Sequence, residues 1–538
     1  MITEPSADSL NIELLVLLVA IASLVAMAVK RIRLPYTIAL VIVGLLLSTI
    51  HALPPVVLTE DILLFIFLPA LLFEAAWHLD IRHLRQTAPA IAILAVVGVL
   101  LSTSIIGGLL HVFLGLDWLV AFLFGAMISA TDPVSVVAIM KQMRLDHRLS
   151  ATLEGESLFN DGTAVVLFKI LLALLLMGST LSVESWAGFT LGAAVQFLVV
   201  VSGGALVGGT LGFFFSVLTS RYEDHLLELT FTVVAAYGAF LIAENISVPG
   251  AVPHLHLSGV IATVTAGLVM GNYGRHTGMS ATTRISVDSF WEFAAFLVNS
   301  LIFLMLGLEI HINELLGHWQ PIGIAVLVVL FARSVAVYGL VPLVRKLLPQ
   351  PIPIAWRHVM VWGGLRGALS MALALSLPTS MGDLRILIIS VVFGVVLVSL
   401  LGQALTIPAL LKKLNLGHQL TEEMAKYHTL RAKLLSARDA LASLKQMEAA
   451  GELLPKVAEE IKGNLNEEVT GLETAIHQLH LTNQELEDEE RQDVMSRLWT
   501  VRKNRLSELV SHGVIAPELG ESIKVGLDES LDSLNQHS

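Results

Sequence analysis

The sequence predicts an all-α membrane protein of about thirteen transmembrane helices, followed by a helical soluble domain. Three observations carry this expectation. Hydrophobic residues make up 55% of the 538 positions and charged ones 14%, with a mean hydropathy of +0.76, far from the balance of a soluble globular chain. Lys and Arg fall almost wholly on alternate connections between apolar segments. Residues 418–538 then abandon that composition for charge and helical spacing.

A hydrocarbon core roughly 30 Å thick asks for about 20 apolar residues per helix, fewer where a helix is broken inside protein. Stretches of this kind centre on 12–29, 34–52, 61–78, 89–113, 118–140, 150–177, 188–218, 228–246, 256–272, 289–309, 320–343, 356–377 and 386–411. The stretch at 188–218 is long enough to tilt. No basic residue precedes the first of them within Met1–Asn11, which reads as the approach to a first span rather than a cleaved signal.

Orientation follows from the basic residues. One set of connections holds Lys30, Arg31, Arg33, Arg82, Arg85, Lys141, Arg144, Arg148, Arg221, Arg275, Arg284, Arg345, Lys346, Arg357, Lys412 and Lys413; the other holds Arg385 alone. A split of 16 to 1 supports thirteen spans, because one missed helix would scramble the alternation after it. The N-terminus is expected outside and the C-terminus in the cytoplasm, for a multi-pass protein of the plasma (inner) membrane.

Beyond residue 417 the apolar positions Tyr427, Leu430, Leu434, Ala437, Leu441 and Leu444 step by three and four, and Val457, Ile461, Leu465, Val469, Leu472, Ile476 and Leu479 continue similarly past the Gly451–Pro455 break. This reads as a cytosolic domain, 418–538, of helices packed on one another and regulatory in role. The acidic balance is concentrated there: 1–417 holds 20 basic and 23 acidic residues, 418–538 holds 13 and 22. No concentrated basic face exists for nucleic acid. With no cysteine, disulfides, thiolate metal sites and thiol redox chemistry are excluded.

Ionisable groups inside spans are costly and mark function. Here they cluster. Asp132 sits in Ala-Thr-Asp-Pro (130–133) of span five; Glu154, Glu156 and Asp161 sit in Glu-Gly-Glu-Ser-Leu-Phe-Asn-Asp-Gly (154–162) of span six; Arg366 sits in Gly-Gly-Leu-Arg-Gly (363–367) of span twelve. Pro133 removes a backbone donor and disfavours helix before it, so span five is expected to break, with Asp132 capping the exposed amides of the second half. Gly363, Gly364 and Gly367 permit the same in span twelve, where Arg366 meets carbonyl ends. These two spans are equivalent if one to six and eight to thirteen are inverted repeats, an arrangement that places a transport site at the midplane.

On the helix of span six, Ser157 and Asp161 share one face by their spacing, and Glu156 and Asn160 the next. The Asp161 carboxylate, with hydroxyls of Ser157 and Thr131 and carbonyls of the unwound segment, offers hard oxygen ligands to a dehydrated monovalent cation. Protonated, it no longer binds the cation well, so the two ions compete. A carboxylate sheltered from water titrates closer to neutrality than one in solution. Glu156 and Arg366 read as a buried structural ion pair. Asn160 hydrogen-bonds without titrating, which leaves one carboxylate, and hence one cation for one proton.

ATDPVSVVAIMK (130–141), EGESLFNDGTAVVLF (154–168), HLSGVIATVTAGLVMGNYG (256–274), SFWEFAAFLVNSLIFLMLGLEI (289–310) and GGLRGALSMALALSLP (363–378) together resemble the sodium/proton exchanger branch of the monovalent cation:proton antiporter superfamily. The resemblance covers roughly 12–413. It implies a transmembrane antiporter domain over 1–417, with a core of spans four to six and eleven to thirteen whose two broken helices cross. Spans one to three and seven to ten would form a separate dimerisation scaffold, with elevator-type alternating access in a homodimer. It implies the ion-binding aspartate at Asp161, its asparagine at Asn160, a serine ligand at Ser157 and the unwound pair at Thr131 and Asp132. The structural glutamate and arginine fall on Glu156 and Arg366. Glu74, in LLFEAAW (71–77), resembles a third-span carboxylate that contributes near the site in some members. The Asn-Asp pair resembles the electroneutral type.

The expected activity is therefore secondary exchange of a monovalent cation, sodium before lithium or potassium, for protons, without a cofactor and with lipid as surroundings. The alternatives are a potassium/proton antiporter and a cation channel of the same fold. An intramembrane hydrolase is disfavoured by the lack of HExxH and GxSxG. No nucleotide-binding fingerprint marks the tail. Glu244 and Asp288 are expected in hydrated positions at span ends, Lys169 and Arg333 as snorkelling or helix-end residues, and the histidines, among them His51, His78, His83, His111, His254 and His256, as solvated side chains.

Overall fold

The computed structural model describes residues 12–482, apart from 33–34, 51–60, 144, 146, 178–185, 222–223, 249–254, 276–277, 280, 310–311, 349–350, 415, 417–421 and 450–454, together with scattered residues after 482. The expectations for Met1–Asn11, Arg144, His51 and His254 thus lie outside the described residues.

The chain divides into two compact units, residues 1–418 and 419–538. The first is a bundle of helices: α1 Ile12–Ile32, α2 Tyr36–Thr49, α3 Ile62–His78, α4 81–114, α5 Trp118–Ser129, α6 Val134–Gln142, α7 His147–Leu176, α8 Trp186–Thr219, α9 His225–Asn245, α10 259–274, α11 Ala281–Glu309, α12 Trp319–Leu340, α13 Ile354–Trp362, α14 Ala368–Leu375 and α15 Asp383–Lys413. A short helix, Ile312–Gly317, precedes α12. Among the described residues, the bridge between Ser247 and His256 is the only extended pairing. Eight helices there are long and apolar enough to cross a membrane, and Glu13–Val29, Tyr36–Thr49 and Ile62–His78 are shorter apolar helices. Helices satisfy every backbone group internally, which is what a lipid environment demands.

Lipid tails give little hydrophobic drive between helices, so close backbone approach carries much of the packing. Gly44 of α2 and Gly307 of α11 lie back to back: a Cβ on either would come within 2.9 Å of the other's Cα. Gly208 of α8 is pressed against the backbone of Ala262 in α10 in the same way. The buried core is continuous through these contacts and is dominated by Leu, Val, Ile, Ala and Phe.

Two interruptions shape the centre of the unit. α5 ends at Ser129 and α6 begins at Val134; α13 ends at Trp362 and α14 begins at Ala368. The two unwound stretches meet, with the Asp132 amide donating to the Leu365 carbonyl at 2.8 Å. α15 carries a π-helical turn, Ser399–Ala404, against the second interruption, a local widening that such helices use at functional positions.

In the second unit, α16 (Glu422–Ala449) and α17 (Pro455–Thr482) pack on one another. Tyr427 is buried between Ile476 and Leu479, and Arg438 Nη2 lies 2.7 Å from Glu473 Oε1.

Candidate ion-binding site

The interruptions expose helix ends, and buried charges meet them. Asp132 Oδ1 accepts the Val134 amide at 3.0 Å, capping α6. The same side chain fills the space that a Cβ on Gly367 would need, so the carboxylate also stands at the N-terminus of α14. Arg366 Nη1 donates to the carbonyls of Ser129 and Ala130 at 3.1 and 3.0 Å, covering the C-terminal end of α5. Its backbone amide is held by Ser399 Oγ at 3.1 Å.

Glu156 is not the partner of Arg366. Arg333 reaches from α12 and grips the Glu156 carboxylate with both terminal nitrogens, Nη2 at 2.9 Å, and both residues are buried. Arg333 Nε and Nη2 also donate to the Met360 carbonyl, at 3.2 and 3.0 Å, near the end of α13. The expected Glu156–Arg366 pair is corrected for a physical reason: α5 ends in carbonyls inside the bundle, and Arg366 is committed to them. The glutamate is left to the arginine on the neighbouring helix. Gly364 makes room, since a Cβ there would sit 2.8 Å from Arg333 Nε.

Thr131, in the first interruption, is tied to α7 from several directions. Ser157 Oγ donates to its carbonyl, Asn160 Nδ2 donates to its Oγ1 at 2.7 Å, and its amide donates to Asn160 Oδ1 at 3.3 Å. Thr131, Ser157 and Asn160 are buried, while Asp161, next along α7, keeps partial access to solvent. Asp132 is close enough for the two carboxylates to repel. Among the described residues Asp161 forms no hydrogen bond and no ion pair, alone in this cluster in lacking a partner. The structure therefore brings Thr131, Asp132, Ser157, Asn160 and Asp161 to one place. Glu74 is elsewhere: it pairs with His78 at 3.2 Å on α3.

A hard, anionic oxygen site thus lies inside a helical bundle, flanked by two broken helices. The family model for sodium/hydrogen exchangers, transmembrane, matches residues 16–413. The chain belongs to the sodium/hydrogen exchanger family. It is a membrane-embedded, multi-pass secondary transporter of the bacterial type. The exchanger is 38% identical to the Na(+)/H(+) antiporter NhaG of Bacillus atrophaeus over 531 residues, 96% of this chain and 97% of that one. It is 42% identical to the Na(+)/H(+) antiporter ApNhaP of Aphanothece halophytica over 384 residues, covering 71% and 70% of the two chains. The structure of the sodium proton antiporter MjNhaP1 from Methanocaldococcus jannaschii superposes with a TM-score of 0.61 over 75% of the exchanger and 98% of that chain. At 22% identity this establishes a common fold.

Three arrangements in the exchanger differ from the expectation of solvated or snorkelling singletons. Arg333 is the partner of Glu156. Lys169 and Glu244 pair across two helices at 2.6 Å. Asp288 accepts from Arg275 at 2.6 Å and from Trp77 Nε1 at 2.8 Å. The available signal was bookkeeping: each unassigned charge in an apolar stretch requires an opposite one, and Arg333 and Lys169 were the cations without an assigned anion.

Proposed function

We propose that this protein exchanges sodium for protons across the plasma membrane, electroneutrally, with both ions competing for Asp161. The observation that carries the reading is the carboxylate of Asp161, without a protein partner, beside the hydroxyls and carbonyl of Ser157 and Thr131. A charge in such a place is neutralised by a bound cation or by a proton. Asn160 contributes amide groups to Thr131 and no titrating group, which makes the exchange one for one. Sodium is favoured over potassium by the names of the relatives.

Elevator movement is the mechanism the packing supports best. Asp132, Arg366 and the Glu156–Arg333 pair bind both interruptions, α7 and α12 into one body, so the ion site moves as a piece. That body comprises spans four to six and eleven to thirteen, against a scaffold of spans one to three and seven to ten within a homodimer. Thirteen spans in two inverted repeats accommodate the matched interruptions, each with an arginine on the carbonyl end of its first half-helix. The N-terminus then faces out, and the helical tail, in the cytoplasm, is regulatory. Glu74, the weaker candidate for cation binding, is paired with His78 and is left out of the proposed site.

The test is reconstitution in proteoliposomes with an imposed pH gradient, adding each alkali cation in turn to the wild type and to Asp161→Asn. Wild-type exchange with sodium and none in the variant is expected. Exchange by the variant at the wild-type rate refutes the site, and acceleration by an imposed potential refutes electroneutrality.

A further inference from the structure

Asp161, Val165 and Lys169 follow one another at four-residue steps and so form one stripe of α7. Val165 and Lys169 line a cavity of about 490 Å³ that begins one helical turn from the ion site. Its walls come from both bodies of the proposed elevator: α7 and Leu373 of α14 on one side, Leu68 of α3 and Phe240 and Glu244 of α9 on the other. The inference rests on that two-body reading.

Across this cavity Lys169 Nζ lies 2.9 and 2.6 Å from the two oxygens of Glu244. The side chains are 29% and 13% exposed, so the pair is shielded from water far more than an ordinary surface salt bridge. The two partners are not equally attached. Glu244 Oε1 also accepts the amide of Gly259 at 3.2 Å, at the N-terminus of α10, where the helix dipole favours a negative charge. The glutamate is thereby anchored to the scaffold side whether or not the lysine is present. Lys169, among the described residues, is bonded to Glu244 alone and travels with α7. A pair anchored at one end and carried at the other separates cleanly when its two helices slide past each other.

We propose that Lys169 and Glu244 form a latch across the boundary of the two bodies, closed in this conformation and opened once in every transport cycle. Sliding the core by even a single helical turn, about 5 Å, takes the ammonium out of range of the carboxylate. Each ion at Asp161 therefore waits on a bond two turns away that touches neither ion. Lys169 is a positioning residue in this scheme, acting on the motion rather than on the site.

The lack of native cysteines makes the test direct. Lys169→Cys with Glu244→Cys is bridged by a flexible bis-methanethiosulfonate in proteoliposomes, and sodium/proton exchange is measured before bridging, after it, and after reduction. Arrest on bridging and recovery on reduction are expected. Full exchange by the bridged protein overturns the latch. A second bridged pair, Leu68→Cys with Leu373→Cys, spans the same cavity without the charges. If that bridge arrests exchange and the first does not, the latch falls and the two-body reading stands; if neither does, both fall. Without any bridge, Lys169→Arg is expected to keep the wild-type rate. Lys169→Met is expected to change the maximal rate about fivefold at constant KM. A shift in KM at constant rate would overturn the latch in favour of a direct electrostatic effect on Asp161.

Discussion

Exchanging the partner of Glu156 from Arg366 to Arg333 has a consequence that stability measurements resolve. Arg333→Met leaves the buried Glu156 carboxylate without its cation and the Met360 carbonyl without its donors. Breaking a buried pair from one side costs about 3–5 kcal/mol. With an unfolding entropy of about 2 cal/mol/K per residue, a unit of 418 residues loses roughly 1 °C of Tm per kcal/mol, so the drop is roughly 3–6 °C. Glu156→Gln should cost a similar amount by stranding Arg333, and the double variant Glu156→Gln/Arg333→Met much less than the sum. The cycle is read from thermal unfolding of the purified protein in detergent. A parallel cycle of Glu156→Gln with Arg366→Met should show a smaller coupling, because Arg366 hydrogen-bonds Ser129 and Ala130 and meets Glu156 only through the longer-range attraction of the two charges. A larger coupling in the second cycle than in the first would refute this assignment of partners.

Other perturbations follow from single contacts. Gly208→Ala forces a methyl into the backbone of Ala262 and should destabilise by about 1–3 kcal/mol, whereas Gly209→Ala finds Thr265 Cγ2 at an ordinary 3.7 Å and should be neutral; Tm in detergent separates them. Asn160→Asp places a second carboxylate beside Asp161, and exchange in proteoliposomes should then respond to an imposed potential that leaves the wild type unmoved. Competition for one carboxylate raises the KM for sodium as pH falls, towards about tenfold per pH unit once the protonated form dominates, at constant maximal rate. A maximal rate that falls with acid while KM stays fixed would contradict it.

Much of the helical layout was legible because its causes are local. Apolar runs, Pro133 and the glycines at 363, 364 and 367 act within a few residues of themselves, and the helices stop at Ser129 and Trp362 accordingly. The meeting of Asp132, Thr131 and Asn160 was readable from their motifs and the family resemblance those motifs carry. Partner choice was not. Arg333 lies 177 positions from Glu156, and Lys169 lies 75 from Glu244; no periodicity relates residues on different helices. Arg366 illustrates the ambiguity, since its motif served equally well for a carboxylate or for carbonyl ends, and only packing decides between them. Arg385, the exception to the charge alternation, likewise turns back on the carbonyls of Leu375 and Leu377, at 3.0 and 2.7 Å, and so meets the far end of α14.

The pairing around Asp161 bears on leakage. Glu156 is held by Arg333 and Asp132 caps the start of α6, so Asp161 is the carboxylate of the site that no protein group answers. In the proposed exchange, the site loaded with a sodium ion or a proton is neutral in either direction of travel. Empty, it must carry a bare charge through the low-dielectric interior, at a cost of about 3 kcal/mol on insertion scales, which slows the futile return roughly a hundredfold. Tight coupling of the two fluxes thus needs no additional gate: an idle carrier is held back by its own unbalanced charge.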